Sequence, residues 1–413
     1  MAGPLVGLRV VEIGDRGEVA GKLLADAGAE LIRVEPPSGA RSRGTGPFVG
    51  DRRDINASLH YAYLNTNKRG VTLDVAQSEG ADLWRRLVAG ADIVLDSAGP
   101  GVLDALGAGH DSFDDDALIW CSITPFGLTG PRRDWVVTDL VSVALGGPPM
   151  STGYDDHDIP PIRSDGEHSL AMGGEYATIG VITAVLHRAT TGRGQLVDVS
   201  IHEAVSGTTE GAFPNWEYNQ GHVQRQTARH ASPVISPPWQ HMATDGDYSM
   251  VHGGGTPRSK EIYDRLVAWL EEHDAAEDLA DPKWAEVVFT DPRSASDARA
   301  HIVDVVGSMM ETMTADEAYR GGQAIHMPFA HVRRPEQNLD DPHWADRDFW
   351  VEGEVPGHDG AVRYPRAPYR FTKSQVEFRR RAPLLGEHNT EVYGGELGLD
   401  AEQLTSLAKA GAI

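Results

Sequence analysis

Short apolar runs alternate with segments of helical period through the first third of the chain. "LRVVEIG" (8–14) and "AELIRVE" (29–35) read as strands, and "AGKLLADAG" (20–28) between them reads as a helix closed by Gly28. The pattern repeats with "VTLDV" (71–75), the helical "SEGADLWRRLVAGA" (78–91) with Ser78 as its N-cap, "DIVLD" (92–96) and "ALIWCSI" (117–123). Strands of this kind joined through helices predict a parallel, helix-covered sheet. Further on, "AMGGEYATIGVITAVLHRAT" (171–190) predicts a largely buried helix, "TTGRG" the turn after it and "GQLVDVSI" the next strand. Glycines 192 and 194 suit positive φ in that turn.

The texture changes between about residues 215 and 330, where the Pro-rich "SPVISPPW", the glycine run "HGGGTPRSK" and acidic amphipathic helices such as "EIYDRLVAWLEEH" follow one another. "VRYPRAPYRF" and "RRRAPLLGEHNTEVYGGELGL" then look like a return to the first pattern. The expected fold class is α/β: a large Rossmann-like domain with a parallel sheet over 1–214, a smaller α+β domain over 215–330, and a return segment over 331–413 that completes the large domain.

Composition narrows the function. The 413 residues carry 61 acidic and 37 basic side chains, a formal net charge of -24. That excess opposes non-specific binding to nucleic acid and to anionic membranes, so an anionic ligand needs a local basic patch. Cys121 is the single cysteine. It permits no intrachain disulfide and no cysteine-rich zinc site, which points to a reducing, cytoplasmic setting. The first residues, with Arg9 and Glu12 inside the apolar run, are not expected to form a signal peptide. No uninterrupted apolar run reaches the roughly 20 residues of a membrane span.

"IGDRGE" (13–18) sits between a strand and a helix, where backbone N–H groups can receive a phosphate, but it is not a GxGxxG fingerprint and reads as a simple turn. The scattered histidines lack metal-ligand spacing, and no metal is expected. "NTNKRGVTLDV" (65–75) puts Lys68 and Arg69 at an element boundary, either as a solvated turn or as a polyanion site on which Arg33, Arg41 and Arg43 converge. The glycine run after His252 is a plain turn or a mobile flap.

Together, in order from about residue 6 to 400, "GLRVVEIG", "LLADAGAELIRVEPP", "LNTNKRGVTLDV", "CSITPFGLTGP", "TTGRGQLVDVSIHEAV" and "APLLGEHNTEVYG" resemble the family III CoA-transferases, the CaiB/BaiF group that includes formyl-CoA transferase and the methylacyl-CoA racemases. The resemblance implies a two-domain α/β chain in an interlocked dimer, with coenzyme A or an acyl-CoA as substrate near Arg33, Lys68, Arg69, Ser97 and Phe126, and a carboxylic acid as the second partner. It also implies an aspartate nucleophile that exchanges the acyl group through a mixed anhydride and an aspartyl-CoA thioester. At that place, just before the helix that ends in "TGRG", this chain has Ser169 or Leu170. The racemase histidine is likewise absent, Thr138 preceding Asp139 there, and "DSAGPG" stands where the family commonly has "ENFRPG".

Three expectations follow. The chain is a transferase whose catalytic group is Asp165 or Glu167 on the same loop, with Ser169 or Leu170 at the original position. Or it is a subunit without its own nucleophile, a homodimer or a heterodimer with an active paralogue. Or it runs a non-covalent acyl-CoA lyase, hydratase or racemase reaction with His168, Asp139 or Glu175 as base.

Overall fold

The computed structural model describes residues 3–163, 165–209, 211–290 and 296–413, which divide into two compact units. The first comprises residues up to 148, 164–208 and 342–413; the second comprises 149–163 and 209–341.

The first unit is built on six strands: β1 (Arg9–Ile13), β2 (Glu30–Glu35), β3 (Lys68–Thr72), β4 (Ile93–Asp96), β5 (Ile119–Thr124) and β6 (Leu196–Ser200). All neighbours pair in parallel, in the order β3-β2-β1-β4-β5-β6. The near-continuous apolar runs are explained by burial on both faces. Val10, Leu31, Ile93 and Ile119 enter one core with Leu24 and Val181 of two helices, Glu18–Asp26 and His168–Thr191. Their immediate neighbours Val11, Ile32, Val94 and Trp120 enter the opposite core with Trp84 and Leu87 of the helix Ser78–Val88. One-residue alternation therefore feeds two cores at once.

Two local expectations shift. β3 begins at Lys68 rather than Val71, because the two cations that open it have carboxylate partners, Lys68 the buried Glu12 and Arg69 the more exposed Glu391. Gly192 has the expected positive φ of 74° and ends its helix, but Gly194 does not; a Cβ there would lie 2.1 Å from the Leu118 carbonyl oxygen, so close backbone approach is its reason.

The helix His168–Thr191 is long and apolar enough to cross a membrane by length and composition, although Glu175 and Arg188 interrupt its apolar run. It is less buried than expected: it packs against the sheet through Ala177, Val181 and Ala184, while Tyr176, Ile179 and Leu186 stay exposed along another face. The return segment closes the free edge of β3: Gly70 N donates to His388 Nδ1 at 3.1 Å, Thr72 N to Asn389 Oδ1 at 2.9 Å, and Tyr393 Oη to Thr72 O at 3.0 Å. It also carries the antiparallel hairpin Trp350–Gly353 and Val362–Pro365.

The second unit has its own core, centred on Leu266, Leu270, Ile302, Val306, Met310 and Phe329. A three-stranded antiparallel sheet (Gln240–Met242, Tyr248–Val251, Phe329–Val332) lies within it. The expected limits of 215 and 330 move to 209 and 341, and an excursion over 149–163 joins the unit. Arg225 holds that excursion by donating to the carbonyls of His157 (3.1 Å) and Ile159 (2.5 Å), and Arg229 pairs with Asp155 at 2.7 Å. The glycine run is a turn, with Gly254 and Gly255 buried against Val303 and Val306.

Beneath the carboxyl ends of β1 and β2 lies a buried ion cluster. Arg33 pairs with Glu12 (3.0 Å), Asp15 (2.7 Å) and Glu18 (3.1 Å), and Lys68 pairs with Glu12 (2.8 Å); Arg33, Lys68 and Glu12 have no exposed surface. Removing one member of such a cluster strands another. Lys68→Met is expected to destabilise the fold by about 3–5 kcal/mol in urea denaturation at pH 7. Glu12→Gln combined with Lys68→Met should cost clearly less than the sum of the single changes, since neither then leaves the other unpaired.

Candidate active site at the sheet's switch point

The strand order reverses between β1 and β4, and in open parallel sheets the crevice outside the carboxyl ends at that point is where ligands bind. Here it is a cavity of about 320 Å³ lined entirely by the first unit. The loop after β1 forms one wall. Gly14 has φ 84°, and a Cβ on it would lie 2.4 Å from the Ser97 carbonyl carbon, so the loops after β1 and β4 touch as only glycine allows. Ser97 fastens them: its Oγ accepts from Gly17 N at 3.1 Å and donates to Ile13 O at 3.2 Å.

The residues expected to hold coenzyme A are placed differently from that expectation. Arg33 and Lys68 are sealed in the ion cluster, Arg33 also donating to Gly14 O. Burial opposes the charge of Arg33, but Glu18, Glu12 and Asp15 outweigh it and hold its pKa above the ordinary value; for Lys68 burial prevails and its pKa falls. Arg69 is 8% exposed and pairs with Glu30, Glu391 and Glu396. Phe126 is buried beside His202 and Trp135, with centroids 5.4 and 6.1 Å away. A contact to a ligand through Arg33 or Lys68 has no exposed nitrogen to rest on, and of the five only Ser97 lines the crevice. The "NTNKRG" motif is likewise interior: Asn65 donates to Glu18 (3.2 Å), Thr66 accepts from Lys22 (2.8 Å) and Asn67 donates to Asp26 (2.7 Å).

On the opposite wall two helix starts meet. Thr138 caps the helix Asp139–Gly146, and one oxygen of Asp139 accepts from both the backbone N and the Oγ of Ser169, each at 2.8 Å. The positive ends of both helices favour an anion there. Glu167 reaches the crevice with its Oε2 3.3 Å from His60 Nε2; the hydrogen bond to Glu167 raises the His60 pKa, overcoming partial burial. Ser169 and Leu170 also line the cavity, whereas Asp165, His168 and Glu175 are exposed and do not.

The site thus brings together Glu167, Ser169 and Asp139 and leaves Asp165 outside. His60 and Arg16 were not singled out in the sequence; Arg16 lay in the "GDRG" loop, but His60 had no motif around it. Among the described residues no group of three or more His, Cys, Asp or Glu side chains could hold a metal ion.

Residues 5–389 match the description CoA-transferase family III. The chain belongs to CoA-transferase family III. It is 32% identical to the succinyl-CoA:(R)-benzylsuccinate CoA-transferase subunit BbsE of Thauera aromatica, over 98% of this chain and 97% of that one. The succinyl-CoA–D-citramalate CoA-transferase of Chloroflexus aurantiacus is 29% identical over 98% and 96%. A CAIB/BAIF family protein from Brucella suis superposes with a TM-score of 0.79 at 26% identity, covering 96% of this chain and all of that one. In this CoA-transferase, Ser169 or Leu170, both on the crevice wall, stands where the resemblance puts the nucleophilic aspartate.

One carboxyl beside the crevice is out of its ordinary range. Asp96, at the end of β4, is 8% exposed, and burial pushes its pKa up to about 6 despite the hydrogen bond from Ala98 N. A carboxyl raised in the folded state contributes stability that is complete below its unfolded pKa and is lost as pH rises through the folded value. Asp96→Asn, which keeps the acceptor for Ala98, should therefore match the parent at about pH 3, below the unfolded value, and exceed it by about 3 kcal/mol at pH 8, as read by denaturant midpoints at both pH values.

Proposed function

We propose that this CoA-transferase moves coenzyme A between an acyl-CoA thioester and a carboxylic acid in the switch-point crevice, with Asp139 as its nucleophile. The observation that supports this reading is the contact at 2.8 Å from both donors of Ser169 to Asp139, a carboxylate beside the helix start where the resemblance expects the aspartate. The Asp139 carboxylate attacks the thioester carbonyl, the C–S bond breaks, and CoA thiolate leaves a mixed anhydride. The thiolate then attacks the aspartyl carbonyl, releasing the acyl group as a carboxylate and forming an aspartyl-CoA thioester. The incoming acid repeats both steps in reverse, and Asp139 is regenerated. His60, held protonated to higher pH by Glu167, is the donor in the same crevice for the oxyanion that forms at each attack. Glu167 is the second candidate for the carboxylate role.

A second reading is favoured by Ser169 itself, by the word subunit in the name of the Thauera relative, and by the exposed apolar stripe Tyr176, Ile179 and Leu186. On this reading the chain forms a two-chain enzyme with a paralogue that supplies the nucleophile.

Succinyl-CoA is the donor to test, because both relatives named above are called succinyl-CoA transferases. Intact-mass spectra of the chain after incubation with succinyl-CoA should show an acyl or CoA adduct that maps to the peptide holding Asp139. Asp139→Asn should lower exchange by about a thousandfold or more, the order seen when a covalent nucleophile is removed. Full exchange in that variant excludes Asp139; exchange that appears only when a second family member is added establishes the two-chain reading.

A further inference from the structure

Seven charged side chains can be placed at the crevice: Asp15, Glu18, Asp139 and Glu167 against Arg16, Arg41 and His60. Every carboxylate has a donor within the protein. Asp15 is held by the Arg33 guanidinium at 2.7 Å and the Arg41 backbone N at 3.1 Å, and Glu18 by Arg33, by Ser42 Oγ at 2.7 Å and by Asn65. Asp139 is held by Ser169, and Glu167 meets His60. The guanidiniums of Arg16 and Arg41 stand apart. Neither takes part in a side-chain hydrogen bond or ion pair with any described residue, whereas Arg33 and Arg43 nearby both pair with carboxylates, Arg33 with Asp15 at 2.7 Å and Arg43 with Glu35 at 2.6 Å. Arg16 is half-buried, and burial followed by the charge of Arg41 lowers its pKa, with Asp15 only partly offsetting them. Two like charges facing one cavity, one of them partly desolvated, are costly without an anion between them.

We propose that Arg16 and Arg41 form an oxyanion-binding site in the crevice, one that takes either the distal carboxylate of a dicarboxylic acyl group or a phosphate of coenzyme A. Guanidinium groups suit both, since their paired N–H donors match planar carboxylate and phosphate oxygens. The rest of this chain is strongly acidic, so a local pair of unneutralised cations is where an anionic substrate is drawn in. The carboxylate source places the reacting thioester toward Asp139 and the second carboxylate toward Arg16, both on the wall of one 320 Å³ cavity. This choice of substrate class rests on the transferase reading, but the anion site itself does not.

Calorimetric titration of the wild-type chain, Arg16→Gln, Arg41→Gln and the double variant tests it, with succinyl-CoA, butyryl-CoA, free coenzyme A, succinate and inorganic pyrophosphate as probes. Melting temperatures within those of the parent show that the variants fold, and Arg41→Lys should keep part of the binding. If the site takes the carboxylate, succinyl-CoA binds the parent more tightly than butyryl-CoA, and the double variant loses about tenfold or more for succinyl-CoA and succinate while butyryl-CoA is unchanged. If it takes a phosphate, all three CoA species and pyrophosphate weaken together by a similar factor. Binding of succinate or pyrophosphate that depends on the arginines, with no binding of any CoA species, upholds the anion site and removes the transferase reading. Affinities in the double variant within twofold of the parent for every probe, or no anion binding by the parent, overturn the site.

Discussion

Arg33 is the interaction on which the site depends. Its guanidinium reaches from the middle strand region of β2 to Glu12 on β1, to Glu18 at the start of the following helix, and to Gly14 O and Asp15 in the loop between them. One side chain thus fixes the path of the chain from strand to helix at the point where the sheet order reverses. Lys68 completes the arrangement from β3, giving Glu12 a second cation and donating to Glu18 O at 3.1 Å. Buried charges of this density are retained only when every partner is present, because desolvation costs each ion several kcal/mol before pairing recovers it. Burial raises the pKa of Glu18 even with Arg33 and Lys68 beside it, which shows how closely the cluster is balanced.

The same economy of charge separates structural cations from those left for a ligand. Arg33, Arg43 and Lys68 lie on or against the sheet, within reach of carboxylates that the strands carry inward. Arg16 lies in the loop after β1, and Arg41 opens the short 3-10 helix Arg41–Gly44, where the nearby Asp15 is already taken. Arg41 and Arg43 share that helix, yet Arg43 reaches Glu35 on β2 while Arg41 lines the crevice, so the direction of the side chain, more than residue type, decides which arginine is paired inside the fold.

Much of the large unit was legible because parallel strands buried on both faces leave apolar runs too regular to mistake, and "GLRVVEIG" through "CSITPF" fall on β1, β2, β4 and β5. β3 was less so: its opening cations broke the apolar pattern, and only partners distant in sequence, Glu12, Glu30, Glu391 and Glu396, make them strand residues. The excursion over 149–163 was illegible for a similar reason, since Arg225 and Arg229, some seventy residues on, are what hold it. In the site, the loop before the helix was found from its spacing to "TGRG", and Ser169 and Glu167 do face the crevice. Spacing gave no sign that Asp165, two residues from Glu167, turns to solvent, nor that His60 arrives from a different helix.

Serine at 169 has a physical consequence for the carboxylate beside it. Asp139 lies at hydrogen-bond distance from the Ser169 hydroxyl and from its backbone N. An aspartate in place of the serine, in the same rotamer, would bring two carboxylates about as close as the pair in an aspartic protease, where one must hold a proton because both cannot ionise. Serine instead gives Asp139 two donors, its hydroxyl and its backbone N, at the meeting of two helix starts that favour a negative charge. The serine and the carboxylate therefore belong together: one supplies the donors and the other the acceptor at this wall of the crevice.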